Sequence, residues 1–224
     1  AAAPTPPPVP RLPVFYQINM TNYVTSSGEH PRPPWADDVP PPAHAEPVRR
    51  FGATTLYDWT RMAMVEKYDG TCIGIFDHPP LFSCTFLNVH NRTWLISESP
   101  RLGPCCKFGD PWHPPSPDFL KVADFVGEYK AADGRRLQYW QYGGDEQFPG
   151  GNFLYAVQFD KQSGAALPAR FVFPTIMPLG WTAQQLDVVS LDAPPADTWR
   201  VPDVCADAPE CGIVRHAAPH RVGA

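Results

Sequence analysis

At 224 residues, 43% of them hydrophobic and 12% aromatic, the chain carries enough apolar material for one large β domain or two small ones, which excludes disorder throughout. A net charge of -5 and a pI near 5.8 provide no basic field for phosphates, so nucleic acid and anionic membrane are excluded as partners. No run of about 18 apolar residues is present to span a bilayer, and the opening Ala1-Ala2-Ala3-Pro4 reads as the start of a mature chain just after signal cleavage.

Proline is the compositional outlier, with 30 residues against about 11 expected at average usage. Pro4, Pro6, Pro7, Pro8, Pro10 and Pro13 form a leader, and Pro31, Pro33, Pro34, Pro40, Pro41, Pro42 and Pro47 form a second tract; both read as polyproline II spacers. Between them Val14 to Val24 is rich in β-formers and bounded by proline and by Ser26-Ser27-Gly28, which predicts one isolated strand tethered on both sides.

From Ala53 the pattern becomes strand after strand, with runs predicted at Thr54 to Lys67, Thr71 to Phe76, Leu81 to Asn88 and Thr93 to Ser97. Turns containing Asp69-Gly70, Pro79-Pro80 and His90-Asn91 separate them, as in an antiparallel meander. In the first run Leu56, Asp58, Thr60, Met62 and Met64 would share one face, with Tyr57, Trp59, Arg61, Ala63 and Val65 on the other. Residues 116–123 fit the one helix the sequence suggests, with Ser116 as N-cap and Pro117 at the first helical position. Strands resume at Phe125 to Lys130, Arg136 to Tyr142, Asn152 to Phe159, Ala169 to Phe173 and Gln185 to Leu191, with turns at Asp133-Gly134, Gly143-Gly144 and Ser163-Gly164. The fold class expected is mostly β: a curved antiparallel sheet or half-barrel of about nine strands with one short helix. Three regions follow: a proline-rich arm at 1–50 holding the strand 14–24, an antiparallel β domain at 51–204, and a cysteine-containing tail at 205–224.

The cysteines are Cys72, Cys84, Cys105, Cys106, Cys205 and Cys211, and six allow 15 pairings. Cys105 and Cys106 are adjacent, so on a strand they point to opposite sides and each needs a distant partner. Cys205 and Cys211 flank a turn-rich stretch, and spacing favours their closing a local loop, which would leave Cys72 and Cys84 for the vicinal pair. Asn19 and Asn91 each open an Asn-x-Thr sequon, so both are candidate glycosylation sites, and with the cysteines they point to a secreted, extracellular glycoprotein.

Motifs for chemistry are sparse. The sequence holds no C-x-x-C, H-E-x-x-H, G-x-S-x-G, Walker loop or dinucleotide fingerprint, so no catalytic residue, metal or cofactor is assigned. Asp77-His78, Asp110 with His113, and the acidic Gly143-Gly144-Asp145-Glu146 all read as solvated turns. Trp59, Trp94, Tyr139, Trp140, Tyr155 and Phe171 fall within strands, where core packing is the plain reading and a sugar- or lipid-lined concavity the sharper one.

Leu56-Tyr57-Asp58-Trp59, Pro117-Asp118-Phe119-Leu120, Phe125-Val126-Gly127 with Asp133-Gly134 and Tyr139-Trp140, Gly164 with Leu167-Pro168-Ala169-Arg170-Phe171, and Trp199-Arg200-Val201-Pro202-Asp203-Val204-Cys205 follow one another in a fixed order. In that order the chain resembles a family of uncharacterised secreted plant and algal proteins, some labelled glycosyl-group transferases. The resemblance implies a curved antiparallel sheet packed on a short helix, somewhat like lipoprotein-carrier half-barrels, and supplies no catalytic residues. Leu137 stands where that family is expected to have cysteine.

The expected function is structural: a non-enzymatic glycoprotein polymerising head to tail into an extracellular filament. The strand Val14 to Val24 would complete a neighbour's sheet, with Phe15, Ile18, Met20 and Tyr23 as the exchanged side chains. The alternative is a monomeric extracellular carrier of a lipid or other apolar ligand. A glycan-active enzyme ranks third, since no pair of carboxylates can be nominated.

Overall fold

A computed structural model of the chain describes residues 6–25, 49–72, 81–108, 113–131, 134–142, 153–175 and 180–211. Its strands are β1 (Phe15–Thr25), β2 (Arg49–Asp58), β3 (Ala63–Tyr68), β4 (Cys84–Val89), β5 (Arg92–Ser97), β6 (Cys105–Lys107), β7 (Asp124–Lys130), β8 (Arg136–Tyr142), β9 (Phe153–Phe159), β10 (Ala166–Thr175) and β11 (Gly180–Ser190). All lie in one open antiparallel sheet of 11 strands, in the order β6-β5-β4-β3-β2-β1-β11-β10-β9-β8-β7. Two meanders, β2 to β6 and β7 to β11, are thus joined edge to edge by β1, which stands in the middle of the sheet. It pairs with β2 from Phe15↔Asp58 to Val24↔Arg49 and with β11 from Gln17↔Ser190 to Thr25↔Trp181.

Alternation along β1 divides the core. Tyr16, Ile18 and Met20 join a cluster with Tyr57, Phe86, Leu95, Cys106, Leu120, Trp140, Tyr155 and Leu186 on one face. On the opposite face Val65, Leu87, Trp94 and Cys105 pack under Trp199, Cys205 and Ala208 of the C-terminal segment, and Leu137, Tyr139, Leu154 and Val172 form a third cluster. The β4–β5 hairpin closes through His90 and Asn91, both at positive φ (55° and 59°), as a two-residue turn matched to strand twist requires.

The first long run is not one strand. It breaks at Trp59–Arg61, a 3₁₀ turn, and Met62 closes the turn in the left-handed region at φ 47°. The Asp58 carboxylate drives the break: it accepts from the Thr60 hydroxyl (2.6 Å) and the Arg61 N–H (3.3 Å) and pairs with the Arg61 guanidinium (3.3 Å). The resulting hairpin sets Leu56 opposite Val65, so Met64 faces the same side as Tyr57 instead of sharing a face with Leu56. Among the described residues the sheet has 11 strands where about nine were expected; the break in this run and the short β6 each contribute a strand that the sequence did not suggest. Cys72 precedes β4 outside any strand, and residues 73–80 of the run at 71–76 and its following turn lie outside the described residues. The expected helix is a single 3₁₀ turn, Phe119–Val122, with Asp118 rather than Ser116 at its start and no side-chain cap; further 3₁₀ turns occur at Ala196–Trp199 and Asp203–Cys205.

All six cysteines are bonded, as Cys72–Cys84, Cys105–Cys205 and Cys106–Cys211. This corrects the pairing favoured by spacing: Cys205 and Cys211 do not close a local loop. The C-terminal segment passes around the β6 edge, so Cys205 meets Cys105 on one face and Cys211 meets Cys106 on the other. On the way it covers the edge, the Lys107 N–H donating to Pro209 O and the Cys211 N–H to Lys107 O, both at 2.7 Å.

Candidate functional site

The register gathers side chains of several strands onto one patch. Ile18 of β1 stands opposite Thr55 of β2, and Thr55 opposite Glu66 of β3; Gln184 of β11 stands opposite Phe171 of β10, and Phe171 opposite Tyr155 of β9. Between these rows and the segment Pro115 to Phe119 lies a cavity of about 390 Å³, whose wall is completed by Tyr16, Met20, Met64, Phe153, Phe173 and Leu186. The overlying segment is fastened by the Tyr57 hydroxyl, which donates to Pro115 O at 2.7 Å, and by the Leu12 N–H, which donates to Pro117 O at 2.9 Å. Tyr57 itself stacks on Tyr16 with ring centroids 4.3 Å apart. Phe119, Tyr155, Phe171 and Phe153 form a contiguous aromatic wall, with successive centroid separations of 5.0, 5.8 and 6.0 Å.

Polar groups in this lining are few. Gln184 donates from Nε2 to Asn22 Oδ1 at 2.9 Å within the buried β1–β11 pairing. Among the described lining residues Glu66 is the only carboxyl, and there is no Lys, Arg or His. Burial pushes the Glu66 carboxyl up from 4.5 to about 7, an effect the nearby Tyr68 hydroxyl partly offsets. That hydroxyl is close enough to Glu66 and Gln184 to interact with both, without reaching hydrogen-bond geometry to either. Tyr16 is raised well above its ordinary value, first by burial and then by its neighbours Tyr155, Tyr57 and Glu66.

The folded protein therefore holds a proton on Glu66 more tightly than the unfolded chain does. The stability this confers is fully present below about pH 4.5 and is lost as pH rises to about 7. Glu66→Gln is accordingly expected to leave stability nearly unchanged at pH 4 and to raise it at pH 8 by up to about 3 kcal/mol, at about 1.4 kcal/mol per pKa unit. Denaturant titration at the two pH values reads the difference, and an equal effect at both would contradict this account of Glu66.

Of the aromatic residues singled out in the sequence, Tyr155 and Phe171 line the cavity. Trp140 packs in the core of the same face, whereas Trp94 and Tyr139 lie in the clusters of the opposite face. Of the exchange residues, Ile18 and Met20 line the cavity, Tyr23 is buried on the opposite face beneath the Arg50 guanidinium (5.7 Å to its ring centroid), and Phe15 is half-buried at the start of β1. Asn19 and Asn91 are both exposed, Asn19 on the face of β1 away from the cavity. His113 is exposed beside Trp59 and its Nδ1 lies 3.0 Å from Pro114 O. Asp77-His78, Asp110 and Gly143 to Glu146 lie outside the described residues. Among the described residues, no cluster of three or more His, Cys, Asp or Glu could hold a metal, and no helix is long and apolar enough to cross a membrane. Glu66 and Gln184 were missed in the sequence, where neither belongs to a motif; the available signal was a carboxylate alternating with Met64 and Tyr68.

The fold thus defines an open, disulfide-bonded antiparallel sheet with an apolar cavity on one face. No family model matches the chain, and no curated protein matches it. Among solved structures, it is similar to an uncharacterized conserved protein from Thermus thermophilus, at 12% identity and a TM-score of 0.45 over 87% of this chain and 89% of that one. It is also similar to the MucA/MucB complex of Pseudomonas aeruginosa (14% identity, TM-score 0.33, 88% of this chain and 58% of that one). A Vibrio parahaemolyticus domain described as an outer membrane lipoprotein-sorting protein gives 11% identity and a TM-score of 0.31 over 79% and 83% of the two chains.

Proposed function

We propose that the protein is a secreted structural glycoprotein that assembles head to tail, each copy's β1 completing the sheet of the next. The observation that carries this reading is the position of β1, a central strand joined to the rest of its chain through one long proline-rich connection. Val24 and Arg49 are register partners, so these two residues lie about 5 Å apart across the β1–β2 pairing if one chain supplies both, with 24 residues of sequence between them. A proline-rich stretch of that length extends to about 75 Å at about 3.1 Å per residue, and stiff spacers resist returning to their starting point. A neighbour's β1 would make the same register with β2 and β11 and relieve that demand, and a head-to-tail exchange extends into a filament where its rotation does not close a ring. Three disulfides suit an oxidising, extracellular setting. Sizing at increasing concentration and electron microscopy test the reading: filaments are expected, and a concentration-independent monomer would overturn it.

Exposed Asn19 and Asn91 would carry N-glycans on such a surface. Peptide mapping of protein from its native source is expected to find both sites modified, and bare asparagine at both would count against passage through a glycosylating secretory route.

A second reading is favoured by the cavity, whose size and largely apolar aromatic lining suit a small apolar ligand. It is compatible with the first, because Tyr16, Ile18 and Met20 of β1 line the cavity whichever copy supplies them.

A further inference from the structure

We infer that the cavity takes an organic cation with an apolar body, such as an alkylammonium, its charged nitrogen beside Glu66 and its chain against the aromatic wall of Phe119, Tyr155 and Phe171. The inference rests on the cavity reading and adds the charge of the ligand. It follows from the donor set. The only ionisable group other than phenols among the described lining residues is a carboxyl, and no cationic side chain is there to receive an anion. A fatty carboxylate would set its charge against Glu66 with no cationic side chain among the described lining residues to balance it. A neutral ligand would leave Glu66 to be accommodated as the acid. An ammonium instead supplies the counter-charge that makes ionisation of a half-buried carboxyl favourable.

The rings around the carboxyl point the same way. Tyr16 lies close enough to both Glu66 and Tyr155 to interact with each, so it connects the carboxyl to the aromatic wall. Ring faces attract cations, with a larger effect in a desolvated site than at an exposed one. Among the described residues, those that face Glu66 are Tyr16 of β1, Thr55 of β2, Tyr68 of β3 and Phe86 of β4, with Gln184 of β11 in the same lining, and none of these changes charge between pH 5 and 8. Over that range the charge of the described lining is therefore that of Glu66. At about 390 Å³ the space lies near the small end of ligand pockets, about 300–1,000 Å³, which favours a short chain over a long acyl tail.

The test is calorimetric titration of the full-length protein at pH 8 with octyltrimethylammonium, octanol and octanoate, which share a chain and differ in charge. The ammonium is expected to bind at least about tenfold more tightly than octanol, a difference of about 1.4 kcal/mol, with octanoate weakest. The ammonium's advantage should shrink as pH falls from 8 to 5.5, with octanol unchanged. Glu66→Gln should bring the ammonium down to the level of octanol while octanol binding persists, which also shows that the variant is folded; Glu66→Asp should retain part of the preference. If octanol or octanoate binds as tightly as the ammonium, or the preference survives Glu66→Gln, the charge assignment is overturned and the cavity reading stands. If none of the three binds, the cavity reading falls with it.

Discussion

Deleting residues 1–25 is expected to abolish polymers and to leave a chain that stays soluble as a discrete species only when a peptide of residues 13–25 is supplied. Loss of β1 separates the two meanders and bares the facing edges of β2 and β11 together with the side chains that had packed on β1. The strand's contribution is large because Tyr16, Ile18, Met20, Tyr23 and Val24 are all buried. At about 2 kcal/mol each these supply about 10 kcal/mol, with the backbone hydrogen bonds roughly offset by the entropy of ordering the strand. The cost of bringing two molecules together offsets part of this gain, so the peptide is expected to bind less tightly than that sum alone implies. The intact protein should form polymers, the truncated protein none, and the peptide complex should run at the size of one subunit. An intact protein that is monomeric at high concentration would contradict the exchange.

Removing both of the bonds that tie the C-terminal segment to β6 is expected to cost far more than removing either alone. Cys105–Cys205 and Cys106–Cys211 close loops with sequence separations of 100 and 105. With one intact, the other adds a ring of only about eight residues, worth about 2–3 kcal/mol by chain-entropy arithmetic; the long loop itself is worth about 4.7 kcal/mol. Either single replacement should therefore lower stability by about 2–3 kcal/mol, and loss of both bonds by about 7 kcal/mol. The double loss also frees Trp199 and Ala208 from the face they cover. Urea denaturation of Cys105→Ser with Cys205→Ser, of Cys106→Ser with Cys211→Ser, and of all four replacements reads this directly. A cost for one bond equal to that for both would show that the loops are not redundant in this way.

Where local chemistry dictates local structure, the chain was legible. Period-two alternation and the His90-Asn91 turn place β4 and β5, and Val14 to Val24 emerges as β1 shifted by one residue. The 3₁₀ break after Asp58 was hidden because its left-handed position is filled by Met62, with no glycine, proline or asparagine to mark it. At three residues, β6 is too short to show a period. Ser116-Pro117-Asp118 carried helix-start signals, but the segment stops after one turn and continues into β7. The disulfide pairing depended on the C-terminal segment wrapping the β6 edge, a long-range path that spacing between cysteines does not encode. Glu66 became visible as a site residue only once the β2–β3 hairpin fixed which way it faces.

Strand exchange between copies, the central claim, is tested most directly by a covalent trap. Asn19 of β1 and Asp187 of β11 are register partners and both are exposed, so Asn19→Cys combined with Asp187→Cys places two thiols opposite one another without disturbing the core. After mild oxidation and denaturing, non-reducing electrophoresis is expected to give a ladder of dimers, trimers and higher species that reduction collapses to one band. A single band at monomer size, with the new bond mapped within one chain, would mean that each β1 fills its own sheet.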